Sequence, residues 1–181
     1  MKITENDIVF IKHSPKARIP LRPEGNLSFR VYPCLHDDYI IIEKGKTITI
    51  DMGISCYISP DKYIQIHEDF RTNYYGLKIS PIIIESNPRF RWHLTITNLN
   101  NKTIILSNNK LNHKEIVARE MEKQKKYFKK IKFRKKLRNA FIYDCRSYIA
   151  IATVHEFPKI NNIIDLTYEE YKKNIEEDCN I

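Results

Sequence analysis

The stretch DYIIIEKGKTITIDMGISCYISPDKYIQI, residues Asp38–Ile66, decides the fold. Tyr39 to Ile42 is an apolar run. Thr47 to Ile50 alternates polar with apolar, Cys56 to Ile58 resumes the pattern, and Tyr63 to Ile66 alternates again. Period-two alternation of β-branched and aromatic residues predicts half-buried strands. Breaks fall at Lys44-Gly45, Asp51-Met52-Gly53 and Ser59-Pro60-Asp61, where glycine permits positive φ and proline fixes its own. No 3.6-residue periodicity competes. Four short strands this closely spaced predict an antiparallel barrel or sandwich.

Working outward, the same signals extend the strands. Ile8 to Lys12 and Leu27 to Val31 precede the stretch, separated by a loop carrying Pro15, Pro20, Pro23 and Gly25. Ile79 to Ile84 follows it, bent by Pro81, and then Trp92 to Thr97 and Thr103 to Leu106. Phe141 to Tyr143 and Tyr148 to Val154 return to strand character. Between them the chain changes. From Asn112 to Arg138 it holds neither Gly nor Pro and is rich in helix formers. Val117, Met121, Phe128 and Ile131 make one apolar stripe, predicting a long amphipathic helix with a break near Tyr127. Tyr168 to Asp178 reads as a short acidic C-terminal helix.

The net charge of +9 is concentrated. Lys110 to Arg138 carries thirteen Lys or Arg against three Glu, a balance of +10 that leaves the remainder near −1. Lys123, Lys125, Lys126, Lys129, Lys130, Lys132, Arg134, Lys135, Lys136 and Arg138 form a candidate basic binding face. Such a face suits phosphate backbones, an import receptor, or an acidic protein or membrane surface; it also suits plain solvation and partial neutralisation by the acidic tail. At 181 residues one domain is expected, 1–181, with the basic insertion at 110–138.

Other classes are disfavoured. No run of 18 apolar residues predicts a membrane span, and residues 1–16 carry acids and lack the apolar core of a secretory signal. Cys34, Cys56, Cys145 and Cys179 are far apart, so neither a zinc knuckle nor a disulfide framework is indicated. An intracellular setting is expected, cytoplasmic, nuclear or both. Cys34, His36, Asp37 and Asp38, like His67, Glu68 and Asp69, are too close along one extended chain to converge on a metal. Trp92 is expected in the core.

The order of strands and turns resembles the trimeric dUTPase family from about Lys16 to Leu166, the basic segment apart. The Gly45, Asp51-Met52-Gly53 and Pro60 turns lie where that family has Pro-Gly, Thr-Gly and Pro-Lys-Gly-Tyr turns. Gly76-Leu77-Lys78-Ile79 through Glu85 resembles its Gly-Leu-Asp-Val and Val-Ile-Asp stretch, and Trp92 to Asn98 follows without a gap. Tyr148-Ile149-Ala150 through Pro158-Lys159-Ile160 resembles the strand opening Arg-Ile-Ala-Gln. The resemblance implies a homotrimer whose nucleotide pockets draw five motifs from different chains. It implies Mg²⁺ on the triphosphate and a carboxylate activating the attacking water.

The chain departs from that pattern at nearly every chemical position. Ser28-Phe29-Arg30 puts a cation where the first motif has Asp. Glu68-Asp69-Phe70-Arg71 replaces the phosphate-holding Pro-Arg-Ser-Ser, and its carboxylates would repel a triphosphate. In the third motif Glu85 stands for the catalytic Asp and Pro88 for the Tyr under deoxyribose, while Arg89 is retained. Glu85 is longer by roughly 1.5 Å, enough to misplace a general base. Ile151 takes the Gln position of the fourth motif, and no Gly follows Gly76 to form the Gly-rich arm of the fifth. The resemblance therefore implies an all-β dUTPase-like fold, with an inserted basic helix, that has lost its catalytic motifs. Glu85 is vestigial, no cofactor is needed, and the chain serves as a binding or regulatory protein contacting a host or viral partner. Two alternatives stay open: a divergent dUTP diphosphatase using Glu85 and Mg²⁺, and a nucleic-acid-binding protein built on the basic helix.

Overall fold

The computed structural model describes residues 7–108, 112–123, 134–146 and 148–157. The period-two stretches form strands where the alternation places them: β1 Val9–Lys12, β2 Phe29–Val31, β3 Tyr39–Ile42, β4 Thr47–Asp51, β5 Ile54–Tyr57 and β6 Lys62–His67. After a short helix α1, Phe70–Tyr74, come β7 Leu77–Ile79, β8 Ile82–Ile84, β9 His93–Asn98 and β10 Ile104–Ser107. Helix α2, His113–Lys123, leads through the insertion to β11 Phe141–Asp144 and β12 Ala150–Glu156. The all-β class holds. The strands group into four sheets, β1-β5, β11-β10-β3, β2-β12-β6-β8 and β4-β9-β7.

The sheets wrap one core. Ile42, Ile54, Ile64, Ile66, Leu94, Ile96 and Trp92 are essentially unexposed, and alternate residues of each strand supply them. Gly53 closes the β4–β5 turn at φ +67°. A Cβ there would come within 2.9 Å of Ala17 Cβ and of Cys34 Sγ, so the position requires glycine on two counts. Asn98, fully buried, donates to the Ile42 and Lys102 carbonyls at 2.8 and 2.9 Å and accepts from Asn100 N–H at 2.9 Å, which ties β3 to the β9–β10 turn.

Two features correct the sequence reading. β10 and β11 run parallel, Ile104 opposite Phe141, whereas every other named strand pairing is antiparallel. A parallel pair needs a crossover of a dozen or more residues, and the insertion is that crossover. Second, α1 appears where no helix was expected. Asp69 caps it, accepting from Arg71 N–H at 3.0 Å, while Thr72 Oγ1 accepts from Asp69 N–H at 3.1 Å. The helix expected over 112–138, with a break near Tyr127, is described as α2 and a helical turn at 134–138; residues 124–133, with Tyr127, Phe128 and Ile131, lie outside the described residues. So does the C-terminal helix expected at 168–178.

The insertion has a core of its own. Ile116, Val117, Leu137 and Ala140 pack with Tyr39 and Ile105 on the side of the β3-β10-β11 sheet away from the main core, with Met121 beside them. Asn112 caps α2, exchanging bonds with Glu115 at 3.0 and 2.8 Å, and His113 Nε2 lies 2.7 Å from the Ala140 carbonyl, joining the start of the insertion to its end. No described helix is long and apolar enough to cross a membrane.

Candidate functional site

The β2-β12-β6-β8 sheet brings three of the altered motifs together. Ile151 of β12 is opposite Arg30 on one side and His67 on the other. Val31, Ala150, Ala152 and Ile66 point into the core, so Arg30, Ile151 and His67 share the other face as one half-buried row. β6 runs directly from His67 into Glu68, Asp69 and α1, and places Arg71 beside the row.

Arg71 and Arg30 both address Tyr148. The Arg71 guanidinium carbon lies 4.2 Å from the Tyr148 ring centroid, and that of Arg30 lies 5.1 Å from the same ring. Arg71 Nη2 also donates to the Tyr148 carbonyl and the Tyr143 hydroxyl, each at 3.3 Å. Tyr143 OH donates to the Tyr148 carbonyl at 2.9 Å, and Tyr148 OH reaches Asp69 Oδ1 at 3.4 Å. Tyr148 sits at φ 149°, a conformation a bulky residue holds only when its surroundings fix it; the two bonds to its carbonyl do so. Burial works against the Arg71 charge, but its bond to Tyr143 and the nearby tyrosines and Asp69 outweigh that and raise its pKa. Burial likewise raises the Tyr143 phenol. The result is a closed cation–aromatic cluster. Arg71 Nη2 is engaged within the chain, Arg30 meets the cluster only through the Tyr148 ring face, and Ile151 offers a methyl-rich side chain where the resemblance requires an amide.

Glu85 is not part of it. It follows β8, whose Ile84 is opposite Ile64, so it stands level with Tyr63 at the other end of β6 from His67, four residues or about 13 Å away. Glu85, Pro88 and Arg89 are all exposed. Their loop is strapped to β5: Ser55 Oγ donates to the Pro88 carbonyl at 2.6 Å, Ile58 N–H donates to Ser86 Oγ at 3.2 Å, and Asn87 bridges to Cys56. Pro88 is thus held by its own backbone carbonyl. Within one chain, then, Glu85 cannot act with the Arg30 row.

The Mg²⁺ that the resemblance implies would be carried on the triphosphate and requires no metal cluster in the chain itself. Asp69 is committed to the α1 cap and to Tyr148, Glu85 stands alone, and no three His, Cys, Asp or Glu side chains converge among the described residues. Glu68 Oε2 is buried without a hydrogen-bond partner.

The expected basic face is divided. Lys125, Lys126, Lys129, Lys130 and Lys132 lie outside the described residues. Lys123 and Lys136, expected to be open, are paired: Lys123 Nζ to Glu120 Oε1 at 2.9 Å, and Lys136 Nζ to Glu43 Oε1 at 2.7 Å. The Glu120 bond raises the Lys123 pKa, and Tyr39 OH donates to the same carboxylate oxygen at 2.7 Å. Arg119, not singled out from the sequence, pairs with Asp38 at 2.5 Å. Arg134, Lys135 and Arg138 are exposed. Among the described residues, neutralisation comes from the β-body and α2, because packing the insertion on β3 carries its inner cations past Asp38 and Glu43.

Sequence reasoning missed Tyr148 and Tyr143 as site residues. Strand patterning placed both, but nothing local to either announces a contact with Arg71, more than seventy positions away.

No family model matches the sequence, and no curated protein matches it. Solved structures do. A dUTPase of Staphylococcus bacteriophage 80alpha, in complex with dUPNHPP, superposes with a TM-score of 0.59 at 15% identity, covering 89% of this chain and 90% of that one. An Asp-to-Glu variant of the phage 80alpha enzyme gives 0.60 at 13%, covering 90% and 92%. An Asp-to-Asn variant of the dUTPase from phage phi11 of S. aureus gives 0.61 at 10%, covering 91% and 99%. These likenesses, at low identity over about nine tenths of this chain, establish the architecture: this protein has a dUTPase-like fold.

Proposed function

We propose that this chain uses a dUTPase-like scaffold for binding and regulation rather than for dUTP hydrolysis, with a viral or host protein as its partner. One observation carries the reading. The row where three nucleotide motifs should converge holds Arg30, Ile151 and His67; Arg30 lies over the Tyr148 ring, and Arg71 beside the row is bonded to Tyr148 and Tyr143 and paired with Asp69. A triphosphate would have to displace a closed network and then lie beside Glu68 and Asp69. Glu85, the remaining candidate base, stands exposed at the far end of the sheet. The structural neighbours lend a precedent, since phage dUTPases are described as controlling the transfer of virulence genes. A homotrimer is part of this proposal, as is an intracellular site of action.

The test is pyrophosphate release from dUTP with Mg²⁺ by the full chain, beside Glu85→Ala. We expect both at the uncatalysed background. Turnover on the order of 1 s⁻¹, lost in Glu85→Ala, would establish the divergent enzyme instead. A second reading, nucleic-acid binding, is favoured by the exposed Arg134, Lys135 and Arg138. It requires retention on DNA or RNA that falls steeply with salt and weakens when Lys125, Lys126, Lys129 and Lys130 become Gln.

A further inference from the structure

Among the described residues, six cations of the insertion fall into two sets. Those facing the body are paired, Arg119 with Asp38, Lys123 with Glu120 and Lys136 with Glu43. On the other flank α2 and the 134–138 turn enclose a groove of about 400 Å³. Its floor is Val117, Ala118 and Met121, and its rim carries Lys114, Arg134 and Arg138. None of these three has an ion-pair partner among the described residues. An apolar floor between unpaired cations is the complement of an amphipathic helix with acidic flanks.

The chain contains such a segment. Thr167 and Glu170 have the spacing of a capping box, and Leu166 and Tyr171 that of the accompanying hydrophobic staple. Tyr168, Tyr171 and Ile175 recur at i, i+3 and i+7, and five acids, Glu169, Glu170, Glu176, Glu177 and Asp178, stand against two lysines. The reach suffices: β12 ends at Glu156, and residues 158–167 extended span about 35 Å, close to the diameter of a domain of this size. Tethering keeps the segment at an effective concentration on the order of millimolar, so weak complementarity is enough. We propose that residues 166–178 dock in the groove between α2 and residues 134–138 of the same chain, as an internal acidic cover over the unpaired cations. External polyanions or acidic partners must then compete with it. The inference is independent of whether the chain hydrolyses dUTP.

Disulfide capture tests it. Cys34, Cys56 and Cys145 are buried, which leaves Cys179 as the thiol available to a new cysteine. Ala118→Cys, at an exposed position on the groove floor, should form an intrachain bond to Cys179 at least ~10-fold faster than Leu99→Cys, an exposed control on the β9–β10 turn. Adding Arg134→Glu and Arg138→Glu, or about 0.5 M NaCl, should abolish the advantage. A chain ending at Asp165 should need more salt to elute from heparin than the full chain, and added peptide 166–181 should reverse this. Equal rates for the two cysteines, or unchanged heparin elution, would overturn the proposal. Cross-linked dimers in place of monomers would overturn the intrachain assignment and make a second copy the occupant.

Discussion

The β-body and the insertion are held by different means. Among the described residues the body's core gathers twenty-five buried side chains from all four sheets, whereas the insertion's gathers six, two of them borrowed from β3 and β10. The insertion compensates with directed contacts: Tyr39 to Glu120, Arg119 to Asp38, Lys136 to Glu43 and His113 to the Ala140 carbonyl. A segment so attached can loosen without taking the body with it, because its openings cost only its own small core. Body and insertion are therefore expected to open as separate units of one chain.

The sharpest way to break this comparison is a matched pair of cavities. Leu94→Ala, in the main core, should destabilise the whole protein by about 3 kcal/mol or more, and urea melts by circular dichroism should shift as a single transition. Leu137→Ala removes as much volume from the small core. Its expected effect is local: amide protons of α2 exchange faster, while those of β6 and β12 keep their protection. If β6 and β12 lose protection equally, the two cores are one cooperative unit and the comparison fails.

Next in size come the two helix caps. Asp69→Ala deletes the α1 cap and the acceptor of the Tyr148 hydroxyl together, so about 1–2 kcal/mol should be lost. Asn112→Ala deletes only the α2 cap and should cost about 1 kcal/mol, read as α2 fraying rather than as a shift of the global midpoint. Equal global losses would mean that α2 is as tightly coupled to the body as α1.

What the sequence made legible follows the same division. The strands of Asp38–Ile66 could be read because alternation is written residue by residue and the turns carry Gly45, Gly53 and Pro60. α1 could not, since five residues hold no periodicity; its only local signal was the Asp69 and Thr72 spacing, which the expected phosphate motif obscured. In the insertion, Val117 and Met121 stood out as an apolar stripe, but Leu137 was hidden among Lys and Arg. The pairings of Arg119 and Lys136 join positions far apart in the chain, and local pattern is silent about them. The departures from the resembled motifs were legible as substitutions; that Arg30 and Arg71 meet on Tyr148 required the sheet register.

The smallest effect concerns the strand that rejoins insertion and body. In β11, Asp144 Oδ1 accepts from Arg146 N–H at 3.0 Å and its carboxylate pairs with the Arg146 guanidinium at 2.6 Å. These contacts hold the Asp144 carboxyl below its usual range, the Arg146 side chain contributing most. A depressed carboxylate stabilises the fold above its unfolded pKa, near 4, and that contribution fades as pH falls through the lower folded value. Both side chains are more than 40% exposed, so solvent and salt screen the pair and the gain is smaller than that of either cap. Urea midpoints of the wild type and Asp144→Asn should therefore differ slightly at pH 7 and low salt, and converge as acidification protonates the folded-state carboxyl. A difference that persists or grows in acid would assign the stabilisation to the shape of the turn, which asparagine would have altered, rather than to the charge.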